Sequence, residues 1–155
     1  ETLTLWEGKK PVFVTLVSAG QDGLKDPKTT KSTIRGFFRL KSKHITATMD
    51  SSERSSQSGG AAPAPNAGES ADASDKNDGS FELRDVPYVQ YFHEGYALHA
   101  AYWHDRFGIP RSHGCINLSP IDAMRVFRFT DPPVPEGWHG IQIEPNKGTV
   151  VIVHQ

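Results

Sequence analysis

Residues 51–80 are the stretch that most constrains the fold of this 155-residue chain. Twenty of these thirty residues are Ser, Gly, Ala or Pro, and none is Val, Ile, Leu, Met or aromatic. Such a segment buries too little apolar surface to offset the entropy of ordering it. Because strand-like sequence lies on both sides of it, we predict a single domain, residues 1–155, with a flexible, solvated insertion at 51–80. A mobile flap over a binding cleft is the alternative.

The residues before this insertion have the pattern of two pairs of β-strands. Residues 2–6 alternate polar and apolar side chains, as a half-buried strand does. A turn joins them to residues 11–18, which predict a more fully buried strand and therefore a hairpin. Residues 36–40 and 44–49 predict two further strands. Residues 19–32 lack any apolar period and predict a loop, which is a candidate to lie beside a functional site.

The residues after the insertion also indicate strands. Residues 81–92 are strand-like and aromatic, and residues 96–100 predict a short strand that would carry His99. Residues 148–154 include four consecutive aliphatic β-branched residues, 150–153, and predict a buried closing strand. No repeat and no alternation of strands with helices is present, so we predict a mostly β (α+β) fold with one main helix.

The main helix is predicted to begin at Ser119, directly after the segment that holds the single cysteine. Ser119 has the side chain of an N-cap, Pro120 suits the first helical position, and Asp122 follows three residues after the cap. The Asp-Pro-Pro sequence at residues 131–133 predicts its end.

Composition excludes several classes of protein. The net charge is −1 and the pI is near 6.7, so no basic footprint for nucleic acid is present. No stretch approaches the roughly 20 apolar residues of a membrane span. The chain begins at Glu1 rather than Met, which suggests a processed or trimmed protein and leaves open whether an export signal preceded it. A single cysteine excludes an internal disulfide.

That cysteine, Cys115, lies in the sequence Ser-His-Gly-Cys-Ile-Asn, sixteen residues after His99. A lone cysteine is commonly a buried core residue. Here Gly114 allows a tight turn that would bring backbone amides near the sulfur, as an oxyanion hole requires. A histidine makes the reactive thiolate accessible near neutral pH, which favours Cys115 as nucleophile and His99 as its base. No Asp or Asn stands out to orient His99, but a backbone carbonyl would serve.

A metal site is the competing interpretation of this region. Five potential ligands fall within twenty-three residues: His93, His99, His104, His113 and Cys115. Zinc binds three or four such groups. However, the sequence has neither a His-Glu-x-x-His helix nor a Cys-x-x-Cys pair, and its ligand spacing is not typical of a zinc site. We therefore predict that the protein binds neither a metal nor a cofactor. Of the aromatic residues, Tyr91, Tyr102 and Trp103 are candidates to line a substrate cleft, and Lys41 and Lys43 are interpreted as solvated surface.

The sequence resembles the catalytic domain of L,D-transpeptidases, the YkuD-type fold of bacterial peptidoglycan synthesis. The family motif places a histidine fourteen to seventeen residues before Ser/Thr-His-Gly-Cys, an aliphatic residue and Asn or Arg; here these are His99 and residues 112–117. Residues 33–40 look like the family's Thr-x-x-Gly-x-Phe-x-Ile strand, and residues 3–8 look like its opening hairpin. The resemblance covers nearly all of the chain except 51–80, and it implies a β-sandwich or barrel-like catalytic domain.

The resemblance also implies a role for each matching residue. Cys115 matches the nucleophile, His99 the base, and the Ala100 carbonyl the group that orients this base. His113 and Gly114 match positions that shape the site and its oxyanion hole. Ser112 and Asn117 match positions that support the motif. The family usually has Gly or Ser, then Thr, after the base, whereas this chain has two alanines, so a hydroxyl contact to substrate is absent at that point.

The function that the resemblance implies is cross-linking of peptidoglycan stem peptides in the periplasm or cell envelope. The cysteine would attack the bond between the third residue of a tetrapeptide stem and its terminal D-alanine, form a thioester and transfer the acyl group to an amine, giving a 3→3 cross-link. The expected partners are stem peptides, without nucleic acid. Three alternatives remain open: an L,D-carboxypeptidase with water as acceptor, a non-catalytic wall-binding module, and a zinc hydrolase.

Overall fold

Nine strands and one helix make up the secondary structure of residues 1–50 and 82–155, which are the residues that this computed structural model describes. The predicted insertion at 51–80 lies outside the described residues. In chain order the elements are β1 (Thr2–Glu7), β2 (Lys10–Leu16), β3 (Gly36–Arg39), β4 (Ser42–Asp50), β5 (Glu82–His93), β6 (Tyr96–Ala100), β7 (Ile116–Leu118), α1 (Pro120–Phe129), β8 (Gly140–Gln142) and β9 (Val150–Val153).

These strands form one larger sheet and two small ones. The larger sheet has the order β7-β6-β5-β4-β8, in which β6 and β7 run parallel and the other neighbours run antiparallel. The hairpin β1–β2 and the pair β3–β9 are separate two-stranded sheets. The prediction of a mostly β fold with one main helix is confirmed, and the sheets formed by the described residues are not closed into a barrel. Strand β8 was not predicted.

Helix α1 begins and ends where its capping residues predict. The Ser119 hydroxyl oxygen accepts a hydrogen bond from the Asp122 N–H at 3.2 Å, and Pro120 occupies the first turn. The Thr130 N–H closes the other end on the Val126 carbonyl at 3.1 Å. No helix in the described ranges is long and apolar enough to cross a membrane.

The prediction that Lys43 is solvated surface is wrong, because this side chain is fully buried beneath the end of α1. Its ammonium group donates to the carbonyl oxygens of Phe127, Thr130 and Pro132 at 2.8, 2.7 and 3.1 Å. A helix end leaves such carbonyls without partners, so the lysine replaces water there. Burial lowers the pKa of Lys43 to about 8, and the nearby Asp131 carboxylate opposes this.

Strands β2 and β9 form as predicted, but the prediction that they are buried is wrong. In β2, Val12, Val14 and Leu16 are exposed, whereas Phe13 and Thr15 between them are partly buried. In β9, Val150 and Ile152 are likewise exposed. Both strands belong to two-stranded sheets. In each, the described residues cover only one face of the strand. A continuous apolar sequence therefore does not show that both faces of these strands are buried.

Strand β6 divides the interior into two clusters. Tyr96, Leu98 and Ala100 point into the larger cluster, which lies between the sheet, β1 and α1. Ala97 points to the opposite face, where it packs with Val86, Val89 and Met49, and this smaller cluster also contacts Cys115. Since side chains alternate along a strand, His99 lies on the same face as Ala97. The fold therefore brings His99 and Cys115 to one side of the sheet.

Candidate active site

Cys115 is held at the start of β7, beside the turn that joins β5 to β6. Its side chain is partly exposed, and the thiol donates to the Gly95 carbonyl oxygen at 3.5 Å. In the parallel register of β6 and β7, Leu98 pairs with Ile116 and His99 with Asn117. Register partners in a parallel pair project to the same face, so Cys115, Asn117 and His99 share one face.

His99 has the hydrogen bonding that a general base requires. It is 3% exposed, and its Nδ1 lies 3.0 Å from the Ala100 carbonyl oxygen. A carbonyl only accepts, so Nδ1 carries the proton and Nε2 keeps its lone pair. Burial lowers the pKa of His99 to about 4; the Ala100 hydrogen bond opposes this shift, and the nearby His104 adds to it. The imidazole is therefore neutral at neutral pH. The backbone carbonyl expected beside this histidine is present.

The turn before Cys115 is closed by the Ser112 hydroxyl. The Gly114 N–H donates to Ser112 Oγ at 3.0 Å, and this hydroxyl donates to the Cys115 carbonyl oxygen at 2.5 Å. Gly114 has φ of +127°, a conformation that is strained for any residue with a Cβ atom. Ser112 Oγ thus bridges the Gly114 amide and the Cys115 carbonyl across the turn. His113, between them, is partly exposed.

The loop that follows β2 holds the cysteine motif from the other side. The Ala19 carbonyl accepts from the Ser112 N–H at 2.9 Å, and the Gln21 N–H donates to the Ser112 carbonyl at 2.8 Å. Ser18 and Asn117 exchange two backbone hydrogen bonds, at 3.0 and 2.9 Å. The predicted loop at 19–32 therefore lies beside the site; its first residues bond the motif before Cys115, and Ser18, just before the loop, bonds the motif after Cys115.

Thr33 joins this loop to the motif through its buried hydroxyl. The Gly20 N–H donates to Thr33 Oγ1 at 2.8 Å, and Thr33 Oγ1 donates to the Gly114 carbonyl at 2.8 Å. A Cβ atom on Gly20 would lie 2.1 Å from the Lys31 carbonyl oxygen, so the approach is possible only for glycine. The supporting role of Thr33 was not predicted; its place in the Thr-x-x-Gly-x-Phe pattern was the available signal.

Aromatic side chains form one wall of the site. The Trp103 ring lies 5.8 Å from the His99 ring and packs against the smaller cluster that contacts Cys115. Tyr102 meets Trp103 edge to face at 4.9 Å, and its hydroxyl donates to the Arg84 carbonyl at 2.9 Å. Tyr91 packs against the same cluster. Tyr91, Trp103 and Cys115 thus pack against one cluster, and the exposed Tyr102 extends from Trp103 towards solvent.

The family model of the YkuD L,D-transpeptidase catalytic domain matches residues 1–153 of the sequence. The chain belongs to this family. No curated protein matches the sequence.

Solved L,D-transpeptidases share the fold. One from Mycobacterium smegmatis is 21% identical, with a TM-score of 0.62, over 99% of this chain and 54% of its own. One in complex with imipenem is 26% identical, with a TM-score of 0.52, over 76% and 44% of the two chains. L,D-transpeptidase 3 from Mycobacterium tuberculosis, with a faropenem-derived adduct, is 25% identical, with a TM-score of 0.52, over 81% and 43%. The chain spans about half the length of these relatives.

The candidate site contains one further contact that sequence reasoning missed. The side-chain nitrogen Nδ2 of Asn117 lies 3.1 Å from Nε2 of His104, a residue that the sequence suggests only as a potential metal ligand. Among the described residues, no group of three or more His, Cys, Asp or Glu side chains is placed to hold a metal ion. The histidines of this region are thus distributed over different hydrogen bonds.

Proposed function

We propose that this domain is a cysteine acyltransferase that cross-links peptidoglycan stem peptides, with Cys115 as nucleophile and His99 as general base. The observation that carries this proposal is the 3.0 Å contact between Nδ1 of His99 and the Ala100 carbonyl oxygen, from which we infer the tautomer of His99. Its Nδ1–H is bound to the Ala100 carbonyl, and its Nε2 lone pair lies on the face that holds Cys115. A neutral imidazole with a free lone pair is the form that accepts a thiol proton.

The first half-reaction forms a thioester. Nε2 of His99 takes the Cys115 proton, and the sulfur attacks the carbonyl that links the third residue of the stem to its terminal D-alanine. The carbon–sulfur bond forms, the carbon–nitrogen bond breaks, and His99 returns the proton to the amine of the departing D-alanine. In the second half-reaction an acceptor amine attacks the thioester, loses its proton to His99 and releases the sulfur, which is then reprotonated.

The supporting residues are proposed to maintain the geometry of this reaction. The Gly114 amide already donates to Ser112, so Gly114 contributes the sharp turn and Ser112 stabilises it. The motif residues His113 and Asn117 border the cysteine, and Tyr91, Tyr102 and Trp103 contribute an aromatic wall for the stem peptide. Removing any residue that fixes this turn would misplace the sulfur relative to the substrate carbonyl.

The substrate and location follow from the family. L,D-transpeptidases act on peptidoglycan, so we propose stem peptides as donor and acceptor and the periplasm or cell envelope as the compartment. We also propose that residues 1–155, including the insertion at 51–80, form one catalytic domain. An amine acceptor gives a cross-linked dimer and water gives a trimmed monomer; analysis of products from purified stem tetrapeptides separates transpeptidase from L,D-carboxypeptidase.

The decisive experiment is intact-protein mass spectrometry after incubation with imipenem, the ligand of one solved relative. We expect one covalent adduct on the wild-type protein and none on Cys115→Ala. The matched control is Ser112→Ala, which keeps the thiol but loses the hydroxyl that closes the turn, and should form the adduct more slowly. An adduct of equal yield on Cys115→Ala, or no adduct on a folded wild-type protein, contradicts the proposal.

A further inference from the structure

Strand β5 does not alternate its side chains regularly between Leu83 and Val89, a stretch that we call the interrupted segment. Leu83, Val86 and Val89 all contact the smaller cluster that also contacts Cys115, although they are spaced three residues apart. In a regular strand, successive side chains point to opposite faces, so Val86 would point away from the other two. The strand must therefore interrupt its alternation twice, once on each side of Val86.

The backbone of β5 contains both interruptions. Asp85 and Tyr88, one on each side of Val86, have φ of +51° and +57°, a left-handed conformation that residues with a Cβ atom seldom adopt. Beside Asp85, the register of β5 with β4 also shifts by one residue, between Ala47 and Met49 of β4. Such a β-bulge redirects a strand locally, and strained backbone of this kind is found where a precise geometry is needed.

The bulge supplies an anchor for Tyr102, which lies just beyond the end of β6. The carbonyl oxygen of Arg84, the residue before Asp85, accepts a hydrogen bond from the Tyr102 hydroxyl at 2.9 Å. The Tyr102 ring also meets the Trp103 ring edge to face, with centroids 4.9 Å apart and planes at 88°. Tyr102 is therefore held at its hydroxyl and at its ring, although 47% of the residue is exposed.

Trp103 connects this anchor to the proposed base. Its ring centroid lies 5.8 Å from that of His99, with the two planes tilted by 31°. It also packs against the smaller cluster, to which Val86 and Val89 belong. The interrupted segment thus supports Trp103 in two ways, through the cluster that it packs on and through Tyr102 beside it.

We propose that the interrupted segment of β5 is a positioning element for the cysteine reaction: its bulge anchors the Tyr102 hydroxyl, and Tyr102 holds the Trp103 ring against His99. This inference rests on the proposed function. A base acts only in the orientation that reaches the thiol, and a displacement of about 1 Å is enough to slow a reaction about 10²-fold. A strand with regular alternation would turn Val86 to the other face and move the Arg84 carbonyl away from Tyr102.

The first test measures how firmly Trp103 is held, and it needs no activity. Trp6→Phe and Trp138→Phe replace two exposed tryptophans and leave Trp103 as the only one in the chain. In this background, Tyr102→Phe keeps the ring but removes the hydroxyl, and we expect the quenching of Trp103 fluorescence by acrylamide to increase. Equal quenching with and without the hydroxyl overturns the inference, whether or not the protein is acylated.

The second test follows acylation as a function of imipenem concentration. Tyr102→Phe should lower the maximal rate about five-fold, as for the loss of one ordinary hydrogen bond. The half-saturating concentration should change by less than about two-fold, because the effect reaches the reaction through Trp103 and His99. A raised half-saturating concentration with an unchanged maximal rate would mean that Tyr102 only contacts the ligand, and overturns the inference.

Two substitutions at Asp85 test the bulge itself. Asp85→Gly adopts a positive φ without strain and should keep the rate and the quenching of the wild type. Asp85→Val has a β-branched side chain that disfavours this conformation, so the Arg84 carbonyl should move and the maximal rate should fall as in Tyr102→Phe. A folded Asp85→Val variant with the rate of the wild type overturns the inference.

The matched control is Asn146→Val, which creates the same conflict at another residue of positive φ, +68°, in the loop between β8 and β9. It should lower the urea midpoint as Asp85→Val does and leave acylation unchanged. Equal slowing by both variants would mean that loss of stability alone slows the reaction, and overturns the inference. A folded wild-type protein that forms no adduct overturns the proposed function; the quenching of Trp103 distinguishes this result from a failure of the Tyr102 anchor.

Discussion

Strands β6 and β2 are both apolar in sequence, yet they have opposite environments. Every residue of β6 is buried, because this strand lies between β5 and β7 and its two faces are covered by separate clusters. Strand β2 belongs to a two-stranded sheet, and Val12, Val14 and Leu16 on its outer face are exposed. Position within a sheet, and not the apolar character of a strand, decides how much of it is buried.

This difference explains where the chemistry is found. A histidine on β6 loses its water, so burial lowers the pKa of His99 and keeps its lone pair available. The β1–β2 hairpin contributes no buried titratable side chain to the site. The loop that follows this hairpin contributes backbone instead, through the Ser18 and Ala19 carbonyls that hold the cysteine motif in place. The buried strand thus supplies a tuned base, and the loop after the exposed hairpin supplies the brace.

The largest expected effect is the loss of this tuned base. His99→Ala should lower the rate of acylation by imipenem about 10²–10⁴-fold, the usual contribution of a general base. His154→Ala, which removes an exposed histidine near the end of β9, should leave the rate unchanged. Stopped-flow or mass-spectrometric rates near pH 7 would measure both. Equal rates for the two variants would remove His99 from the mechanism.

The second prediction concerns the pH dependence of stability. The folded-state pKa of His99 is lowered to about 4, so between about pH 4 and 6.5 the unfolded chain binds more protons than the folded one. Stability from this residue is therefore complete above pH 6.5 and is lost as the pH falls towards 4, by on the order of 3 kcal/mol.

Urea unfolding between about pH 4.5 and 7.5 would measure this loss, with His99→Gln as the comparison. His44 and His104 also have lowered pKa values, so the difference between the two proteins isolates His99. A wild-type curve parallel to that of His99→Gln over this range would show that burial does not lower the pKa of His99.

A third prediction separates two lysines that look alike in sequence. Lys43→Met keeps a long side chain but removes the donor to three carbonyls at and just after the end of α1, of which only that of Phe127 has a second donor, the Thr130 hydroxyl; it should lower the free energy of unfolding by about 1–3 kcal/mol. Lys41→Met, at an exposed position, should change it by less than about 0.5 kcal/mol. Thermal or urea unfolding measures both. Equal small effects would mean that water can replace the lysine.

The fold was largely predictable from local patterns. The strands, the hairpin and the capped helix depend on neighbours in sequence, such as Ser119, Pro120 and Asp122. The burial of Lys43 and the exposure of Val14 were not predictable, because they depend on which element packs above each residue. Strand β8, only three residues long, has too short a pattern to detect.

The residues of the candidate site likewise separate into those that were predictable from local sequence and those that were not. Cys115 and His99 stand out because they belong to a motif of fixed spacing, and the Ala100 carbonyl is adjacent to His99 in the chain. Thr33 and His104 act through hydrogen bonds to residues 81 and 13 positions away. Contacts of this kind arise only when the loop after β2 and the loop after β6 both reach the cysteine motif at residues 112–117.

The smallest expected effect tests the comparison of strands most directly. Val89→Thr and Val14→Thr make the same change of one methyl to a hydroxyl, which fits a strand equally well in either place. Val89 is 0% exposed in the cluster that contacts Cys115, so its variant should lose about 1–3 kcal/mol by burying an unpaired hydroxyl. Val14 is 58% exposed, and its variant should stay within about 0.5 kcal/mol of the wild type. Urea unfolding of both would measure the difference. A loss at Val14 equal to that at Val89 would mean that the outer face of the hairpin is covered in solution, and that the two strands differ less than their exposure indicates.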